Sequence, residues 1–313
     1  MPADHLALSA GQLAERVEAV LAGVAPERSA VDGTDLADAV EAYQAAGRAA
    51  LQRRVEHGWF QARITPTEWA TTEAAFAEHV APRLDHVDGG RAGWWFLRKH
   101  PDWRIRVRTT DHGAVAAVLD DLAAAGTISR WRPSIYEPET AAFGGDLAMT
   151  IVHDLFCADS TGVLTYARQS RPQLGRRELS LLLIRGLQQH AGLDWFEAGD
   201  VFDRVTQMRP PPADAERVAA LATKIRPLLA IAVHVDLPLF APSGPAAYAA
   251  SWLAAFIQAG QDLGEAATAN YLGRGLRATT AQIVIFHWNR LGLSAHAQGI
   301  LAHAAKAAAL PRS

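Results

Sequence analysis

Arginines at every second position of one short segment constrain the fold of this chain more than any other feature. Arg104, Arg106 and Arg108 alternate with Ile105 and Val107. This spacing predicts a β-strand, because successive side chains of a strand point to opposite faces of a sheet. The two apolar residues would then enter a core, and the three guanidinium groups would share the other face.

A row of three like charges on a strand repels itself unless anions offset the charge. Two alternatives fit the row. The arginines pair with Asp and Glu side chains on a solvated face, or they bind the carboxylates of a ligand, which a planar guanidinium group does with two parallel hydrogen bonds. Composition does not decide between them, because the chain has only three lysines and uses arginine for almost every cation.

The composition predicts a soluble cytoplasmic protein. Half of the 313 residues are apolar, which is enough for a large core, and the single cysteine, Cys157, excludes an internal disulfide and fits a reducing compartment. We expect Cys157 to be a small buried residue rather than a nucleophile. The net charge of −3 argues against nucleic acid as a direct partner. We find no secretion signal and no segment of about eighteen uncharged apolar residues that would cross a membrane.

The apolar spacing predicts an α+β protein with two parts. Residues 1–55 show helical spacing and predict an N-terminal helical hairpin; residues 56–313 form the main domain. The main domain opens with strand, helix, strand, strand, helix, strand, which is a split βαβ order and predicts a mixed or antiparallel sheet. The four strands are predicted at Trp59–Ile64, from Trp94, at the arginine row and at Ile128–Tyr136. The two helices are predicted at Pro66–Leu84 and Ala114–Ala125.

The chain after Gly145 is predicted to be almost wholly helical. Proline-rich breaks at 209–212 and 240–245 separate the amphipathic segments. The predicted helices are Leu147–Cys157, Arg176–His190, Glu197–Met208, Ala213–Val233, Pro245–Leu263, Leu272–Leu291 and Ala295–Ala308. Asp159 and Ser160, after the first of them, are expected to cap the next helix.

Four segments in this order resemble one family. They are Trp94–Arg108, Tyr136–Gly145, Phe156–Ser160 and Phe286–Gly292. The chain from about residue 58 to residue 305 is similar to the thiopeptide-type bacteriocin biosynthesis domain, which is equivalent to the C-terminal domain of lantibiotic dehydratases and also occurs as a free-standing protein.

The resemblance implies an enzyme that matures a ribosomally made precursor peptide. In the lantibiotic pathway a partner enzyme glutamylates serine and threonine, and this domain then removes glutamate to leave dehydroalanine or dehydrobutyrine. Such a β-elimination needs a base for the Cα proton, a cation for the developing enolate and a pocket for glutamate. The resemblance therefore implies a lyase that needs no cofactor.

The resemblance also assigns roles to residues of this chain. Arg106 and Arg108 would bind the glutamyl carboxylates or the enolate oxygen, Glu139 would hold one of these arginines, and His287 would be the base. The alternatives are purely structural roles, in which Glu139 stabilises a helix N-terminus and His287 is a hydrogen-bonded core residue. The expected substrate contacts are Arg104, Tyr136, Trp94, Asn289 and Arg290.

Two departures from the family pattern keep other functions open. Ala142 occupies the position where elimination domains commonly carry an arginine, and Ile285 stands where some relatives have the histidine. One alternative is the formal aza-[4+2] cycloaddition by which free-standing relatives join two dehydroalanines into a pyridine ring. Tyr136, Trp94, Trp95 and His287 would line that cleft.

A third alternative is a non-catalytic subunit that holds the precursor peptide. A leader strand would then add to an exposed sheet edge at Trp59–Ile64. No metal site is expected, because His296 and His303 share a helix face without a nearby carboxylate. The glycine pairs open no phosphate-binding motif, so no nucleotide cofactor is expected. A homodimer is suggested only because dimers are common among soluble proteins.

Overall fold

The computed structural model describes residues 10–24, 36–45, 47, 58–90 and 92–310. The chain forms two compact units, Met1–His57 and Gly58–Ser313. In the first unit, helix α1 spans Ala10–Leu21 and helix α2 covers residues 36–45. The hydroxyl of Tyr43 donates to Glu18 across the two helices, at 2.7 Å. The rest of the helical element predicted for residues 1–55 lies outside the described residues.

The second unit contains a four-stranded antiparallel sheet. Its strands are β1 (Trp59–Pro66), β2 (Gly93–Lys99), β3 (Asp102–Arg108) and β4 (Ile128–Ser134), in the order β2-β3-β1-β4. Helical segments follow β1 and β3, so the predicted split βαβ order and the α+β class are confirmed.

The helix after β1 begins later than the sequence suggested. Strand β1 continues through Pro66, which is paired with Ile128 of β4. Helix α3 (Thr72–Ala75) then passes through a π-helical turn, Phe76–Val80, into α4 (Ala81–Leu84). The predicted helix start at Pro66 is therefore wrong, because strand pairing holds this residue in the sheet.

Strand β1 lies inside the sheet and is paired on both sides from Gln61 to Ile64. Its residues pair with β3 on one side, as in Gln61 with Arg106, and with β4 on the other, as in Gln61 with Ser134. The predicted addition of a leader strand beside Trp59–Ile64 is wrong for this reason, since both hydrogen-bonding edges of that strand are already used.

The two faces of the sheet differ as the alternation in β3 predicts. Ile105 and Val107 are fully buried on one face. On that face Phe76 lies 4.3 Å from Trp103, ring centroid to ring centroid, which joins the helix after β1 to the sheet. Helix α5 (His112–Ala124) connects β3 to β4 and packs against β4. The opposite face carries the three arginines.

The helical half follows β4. Its helices are α6 (Thr140–Phe143), α7 (Asp146–Ala167), α8 (Arg176–His190), α9 (Trp195–Gln207), α10 (Ala215–Leu229), α11 (Ala250–Thr268), α12 (Leu276–Arg290) and α13 (Ala295–Ala309). Both predicted proline-rich breaks lie between helices.

Helix α7 is the central helix of this half, and it is longer than predicted. It runs without a break through Asp159 and Ser160, so the predicted cap at these residues is wrong. Both side chains are fully buried. The helix is long and apolar enough to cross a membrane, but 61% of that apolar window is buried. Contacts with β2, α11 and α12 account for this, and they make α7 a core helix.

Candidate active site

Arg106 is buried at the centre of the arginine face. Its side chain is 2% exposed, and Nε donates to Oε1 of Gln61 at 2.8 Å. The guanidinium carbon lies 4.1 Å from the ring centroid of Trp95 and 4.8 Å from that of Tyr136. Burial lowers the pKa of Arg106 to about 10, so the group is still a cation at neutral pH. Its Nη1 has no hydrogen-bond partner among the described residues.

The sheet fixes the position of this cation. Gln61 is paired directly opposite Arg106 across β1 and β3. The Gln61 amide nitrogen donates to the hydroxyl of Ser134 at 2.9 Å and to the carbonyl of Ile135 at 2.6 Å. Its oxygen is therefore oriented toward the guanidinium group, where it accepts the hydrogen bond from Nε of Arg106.

A histidine that the sequence analysis missed completes the core of the site. His153, on α7, is 5% exposed, and its Nε2 lies 2.6 Å from the hydroxyl of Tyr136. Burial, together with the charges of Arg108 and Arg106, lowers the pKa of His153 to about 4. The imidazole is therefore neutral at pH 7 and can accept a proton. The available sequence signal was helical spacing, because His153 lies three residues before Phe156 on the buried face of α7.

Arg108 lies at the rim of the site. Its side chain is 43% exposed and its Nη1 lies 2.9 Å from Oδ1 of Asp154, a second residue that the sequence analysis missed. The guanidinium carbon lies 5.6 Å from the ring centroid of Trp59. Gly93 gives it room, since a methyl group there would lie 3.0 Å from Nη2 of Arg108 and 3.3 Å from Sγ of Cys157. Burial raises the pKa of the Cys157 thiol to about 12, so the thiol stays protonated.

Glu139 stands at the N-terminus of α6. Its side chain makes no capping hydrogen bond, and its Oε2 is buried without a partner among the described residues. The carboxylate favours the charged form of Arg106. These observations agree with the predicted role of Glu139 beside an arginine better than with helix capping.

The turn after α6 is held against the start of α12. Gly144 and Gly145 have φ angles of 93° and 120°, which residues other than glycine rarely adopt. The hydroxyl of Thr279 donates to the carbonyl of Phe143 at 3.1 Å, and Arg274 donates to the carbonyl of Ala142 at 2.8 Å. The turn is rigid, but Ala142 itself brings no cation to the site.

His287 lies in a separate, closed network. It is fully buried; its Nδ1 lies 2.8 Å from Oδ1 of Asp159 and its Nε2 lies 2.9 Å from the hydroxyl of Ser180. Trp252 and Phe256 pack edge-on against the imidazole. The order Asp, His, Ser is that of a hydrolase triad, but all three side chains are sealed from solvent. The base role of His287 stays a prediction, and these contacts leave neither nitrogen free for a substrate.

Arg290 connects this network to the site. Its Nε donates to Oδ2 of Asp159 at 2.6 Å, and its guanidinium carbon lies 4.0 Å from the ring centroid of Phe156. The side chain is fully buried, and neither Nη1 nor Nη2 has a partner among the described residues. Burial raises the pKa of Asp159, but the neighbouring His287 and Arg290 outweigh it and hold that pKa below its usual range.

Of the remaining residues predicted to contact the substrate, one lies on the arginine face and two lie elsewhere. Arg104 is half-buried on the same face as Arg106, and its charge acts on Arg106. Trp94 lies on the opposite face of the sheet, where its Nε1 donates to Asp85 at 2.7 Å. Asn289 accepts a hydrogen bond from Gln298 on α13 at 2.9 Å. The indole of β2 that contacts Arg106 is that of Trp95. Over the described ranges, no group of three or more His, Cys, Asp or Glu side chains could hold a metal ion.

Comparison with protein families decides the identity of this fold. The model of the family described as lantibiotic biosynthesis dehydratase C-term matches residues 59–310. The chain belongs to this family. The match spans the sheet, the site and the helical half, and it confirms the resemblance inferred from the four sequence segments.

Two solved structures share the fold. The tRNA-dependent lantibiotic dehydratase MibB from Microbispora sp. 107891 aligns with a TM-score of 0.59 at 18% identity, over 80% of this chain and 28% of MibB. The pyridine synthase TbtD from thiomuracin biosynthesis aligns with a TM-score of 0.53 at 15% identity, over 80% of this chain and 97% of TbtD. The chain thus corresponds to about a quarter of the dehydratase. None of the curated proteins compared with it matches.

Proposed function

We propose that this member of the family eliminates glutamate from glutamylated serine or threonine residues of a ribosomally made peptide. The observation that carries the proposal is the free Nη1 of Arg106, buried beside Tyr136 and the neutral imidazole of His153. A β-elimination needs this combination, because the proton must be removed where the resulting negative charge is stabilised.

The reaction can be written on these residues without a cofactor. The Tyr136 oxygen takes the Cα proton of the glutamylated residue while the Tyr136 hydroxyl proton passes to Nε2 of His153. The electron pair left on Cα forms the Cα–Cβ double bond, the Cβ–O bond breaks, and glutamate leaves with a carboxylate. Arg106 stabilises the enolate-like intermediate, and its buried charge is stronger there than in water.

The other arginines supply contacts for the carboxylates of the substrate. Arg108 at the rim is exposed, and its ion pair with Asp154 can exchange for a substrate carboxylate at little cost. Arg104 extends the same cationic face along β3. Glu139 favours the charged form of Arg106 and offsets part of the repulsion from Arg104.

A specific observation favours cycloaddition of two dehydroalanines as the second candidate. Ala142 contributes no guanidinium group, and the walls of the site are aromatic, formed by Trp59, Trp95 and Tyr136. Aromatic side chains of this kind could contact two apolar dehydroalanine segments at bonding distance, with Tyr136 and His153 supplying the proton for tautomerisation.

The substrate implies the partner and the compartment. A glutamylated peptide requires a partner activity that attaches glutamate. Ribosomal peptides are made in the cytoplasm, and a chain with a single cysteine fits a reducing environment. We therefore place the protein there.

The test uses two synthetic peptides of the same sequence, one with O-glutamyl serine and the other with dehydroalanine. The protein should release glutamate from the first, seen by mass spectrometry, and leave the second unchanged. His153→Ala should abolish release, whereas His234→Ala, at an exposed position, should not. Cyclisation of the dehydrated peptide without glutamate release would replace elimination by the second candidate. No change in either peptide would overturn both.

A further inference from the structure

A concave surface lies between helices α10 and α13, far along the chain from the arginine face. Arg217, Leu221 and Lys224 form one stripe of α10, and His296 and Ile300 form one stripe of α13. The spacing of three, four or seven residues places each set on one side of its helix. Between the stripes lies a cleft of about 360 Å³.

The cleft continues into a neighbouring hollow of about 200 Å³, with which it shares Arg217, His296 and Ile300. Together they form an open groove that follows the two helices; we refer to it as the α10–α13 groove. Its floor is apolar and its rim carries basic residues. The floor residues are Ala220, Leu221, Ala297, Ile300 and Leu301, and the rim residues are Arg177, Arg217, Lys224 and His296.

The rim charges are not neutralised by the protein. Within the described parts of the chain, none of the four rim residues forms an ion pair, although nearby cations do. On α9, Asp200 pairs with Arg204 at 2.9 Å and with Arg277 at 3.2 Å, and Asp203 pairs with Lys306 at 2.5 Å. Three basic side chains and a histidine around an apolar floor therefore offer charge complementarity to an anionic partner.

The residues that line the groove include one carboxylate, that of Asp214, and it already accepts a hydrogen bond within the protein. Asp214 caps the N-terminus of α10, where its Oδ1 accepts the backbone N–H of Arg217 at 2.9 Å. It thus neutralises a helix end rather than the rim.

The groove is preformed. Gly299 lets α13 approach the carbonyl of Pro210 so closely that a methyl group at this position would overlap it. Arg209 donates to Gln298 at 2.6 Å, and Arg226 donates to the carbonyl of Ala308 at 2.7 Å. These contacts hold α10, α13 and the segment before α10 together, so a partner would bind with little ordering cost to the protein.

We propose that the α10–α13 groove binds an acidic amphipathic helix, namely a segment of the peptide substrate remote from the reacting residues. This occupant rests on the proposed function. Two parallel or antiparallel helices present a groove that a third helix fills with apolar side chains at a spacing of three or four residues. Leu221 and Ile300 would contact those side chains, and Asp or Glu residues beside them would pair with Arg217 and Lys224.

The first experiment measures binding of labelled helical peptides of about 15 residues by fluorescence anisotropy. One probe carries a leucine stripe flanked by glutamates; a second has lysine for each glutamate; a third has serine for each leucine. The acidic probe should bind at least about tenfold more tightly than either of the others, and added salt should weaken it. Equal affinities for all three would overturn the proposal.

The second experiment exchanges the charges. The double variant Arg217→Glu and Lys224→Glu should lose the acidic probe by at least about tenfold and gain the lysine probe. The control Arg83→Glu and Arg171→Glu makes the same change in net charge at exposed positions outside the groove. Equal loss in the control would show general electrostatics and would overturn the assignment to this groove.

The third measurement separates this proposal from the reaction at Arg106. A short glutamylated peptide without an acidic segment should react equally well with the wild-type protein and with the Arg217→Glu, Lys224→Glu variant. A full precursor should show a raised KM in the variant and an unchanged kcat. Binding of the acidic probe without any glutamate release would refute the proposed reaction and would still support the assignment of the groove. A precursor KM unaffected by the charge exchange would show that the precursor is not the occupant.

Discussion

The hydroxyl of Tyr136 lies 2.6 Å from Nε2 of His153, and this contact joins the segment after β4 to the middle of α7. Arg106 stacks against the same tyrosine ring, at 4.8 Å. A proton acceptor and an anion stabiliser are thus held within one buried cluster, although they come from three different elements.

The lowered pKa of His153 predicts a pH-dependent stability. The folded state has a pKa of about 4 against the ordinary 6.5, so between these values the unfolded state binds more protons. The free energy of unfolding should fall as the pH falls from 6.5 to 4, by at most about 3 kcal/mol from this group. Urea unfolding of the wild type and of His153→Gln across this range measures the difference. Parallel pH profiles for the two proteins would show that the histidine is not held neutral.

Arg106→Lys should lower kcat by about 100- to 1,000-fold. A lysine ammonium group cannot keep the hydrogen bond to Gln61, stack between Trp95 and Tyr136 and still present a free donor to the substrate. The matched control is Arg132→Lys, at an exposed position of β4. Glutamate release under single-turnover conditions measures the effect, and full activity of the Arg106 variant would make this residue structural.

Arg108→Lys should also reduce turnover while leaving the fold intact. Its loss should be smaller than that of Arg106→Lys, because Arg108 is 43% exposed and its ion pair with Asp154 contributes little to stability. Initial rates together with the unfolding midpoint separate activity from folding. A larger loss at Arg108 than at Arg106 would move the main carboxylate contact to the rim.

Asp159→Asn should destabilise the protein by about 3–5 kcal/mol, because it leaves Arg290 buried without its counter-charge. Asp200→Asn is the control; it removes a carboxylate that pairs with two arginines at the surface and should cost about 1 kcal/mol or less. Chemical denaturation of both variants gives the comparison. Similar decreases in the free energy of unfolding of the two variants would mean that the buried network contributes little to stability.

His287→Ala tests the base predicted from the family resemblance. The variant should unfold more easily, since Asp159 and Ser180 each lose one buried hydrogen bond. Its rate per folded molecule should stay close to that of the wild type, whereas His153→Ala should be inactive. The reverse pattern would restore His287 as the base and remove His153 from the mechanism.

Gly162→Ala should destabilise the protein by about 1–3 kcal/mol, because a methyl group there would overlap the indole of Trp252. The thermal midpoint measures this loss. Trp252→Leu also loses a hydrogen bond to Asp159, but it makes room for the methyl group. The double variant should therefore lose less than the sum of the two single variants; simple additivity would argue against the overlap.

Local patterns were sufficient for much of the architecture. The alternation of Arg104, Arg106 and Arg108 with apolar residues gave β3 and its two faces, because side-chain direction in a strand depends only on position. The order of periodic segments likewise predicted the split βαβ sheet. Element ends were less accurate: pairing with β4 extended β1 through Pro66, and burial carried α7 past the polar pair Asp159 and Ser160.

The residues of the candidate site likewise fall into those that the sequence could propose and those that it could not. Arg106, Tyr136 and Glu139 could be proposed from the sequence, since they lie in motifs on or next to strands. Trp94 could not be told from Trp95, because a shift of one residue changes the face of the sheet.

The sequence by itself determined the family, the α+β class and the cationic strand, all of which depend on short-range order along the chain. Only the tertiary structure decided which histidine faces the arginines. His153 and His287 both lie on buried helix faces, and their surroundings come from residues up to 128 positions away, as with Asp159 and His287. Whether an imidazole is sealed by a carboxylate or faces a guanidinium group depends on how helices pack, and no local pattern encodes that choice.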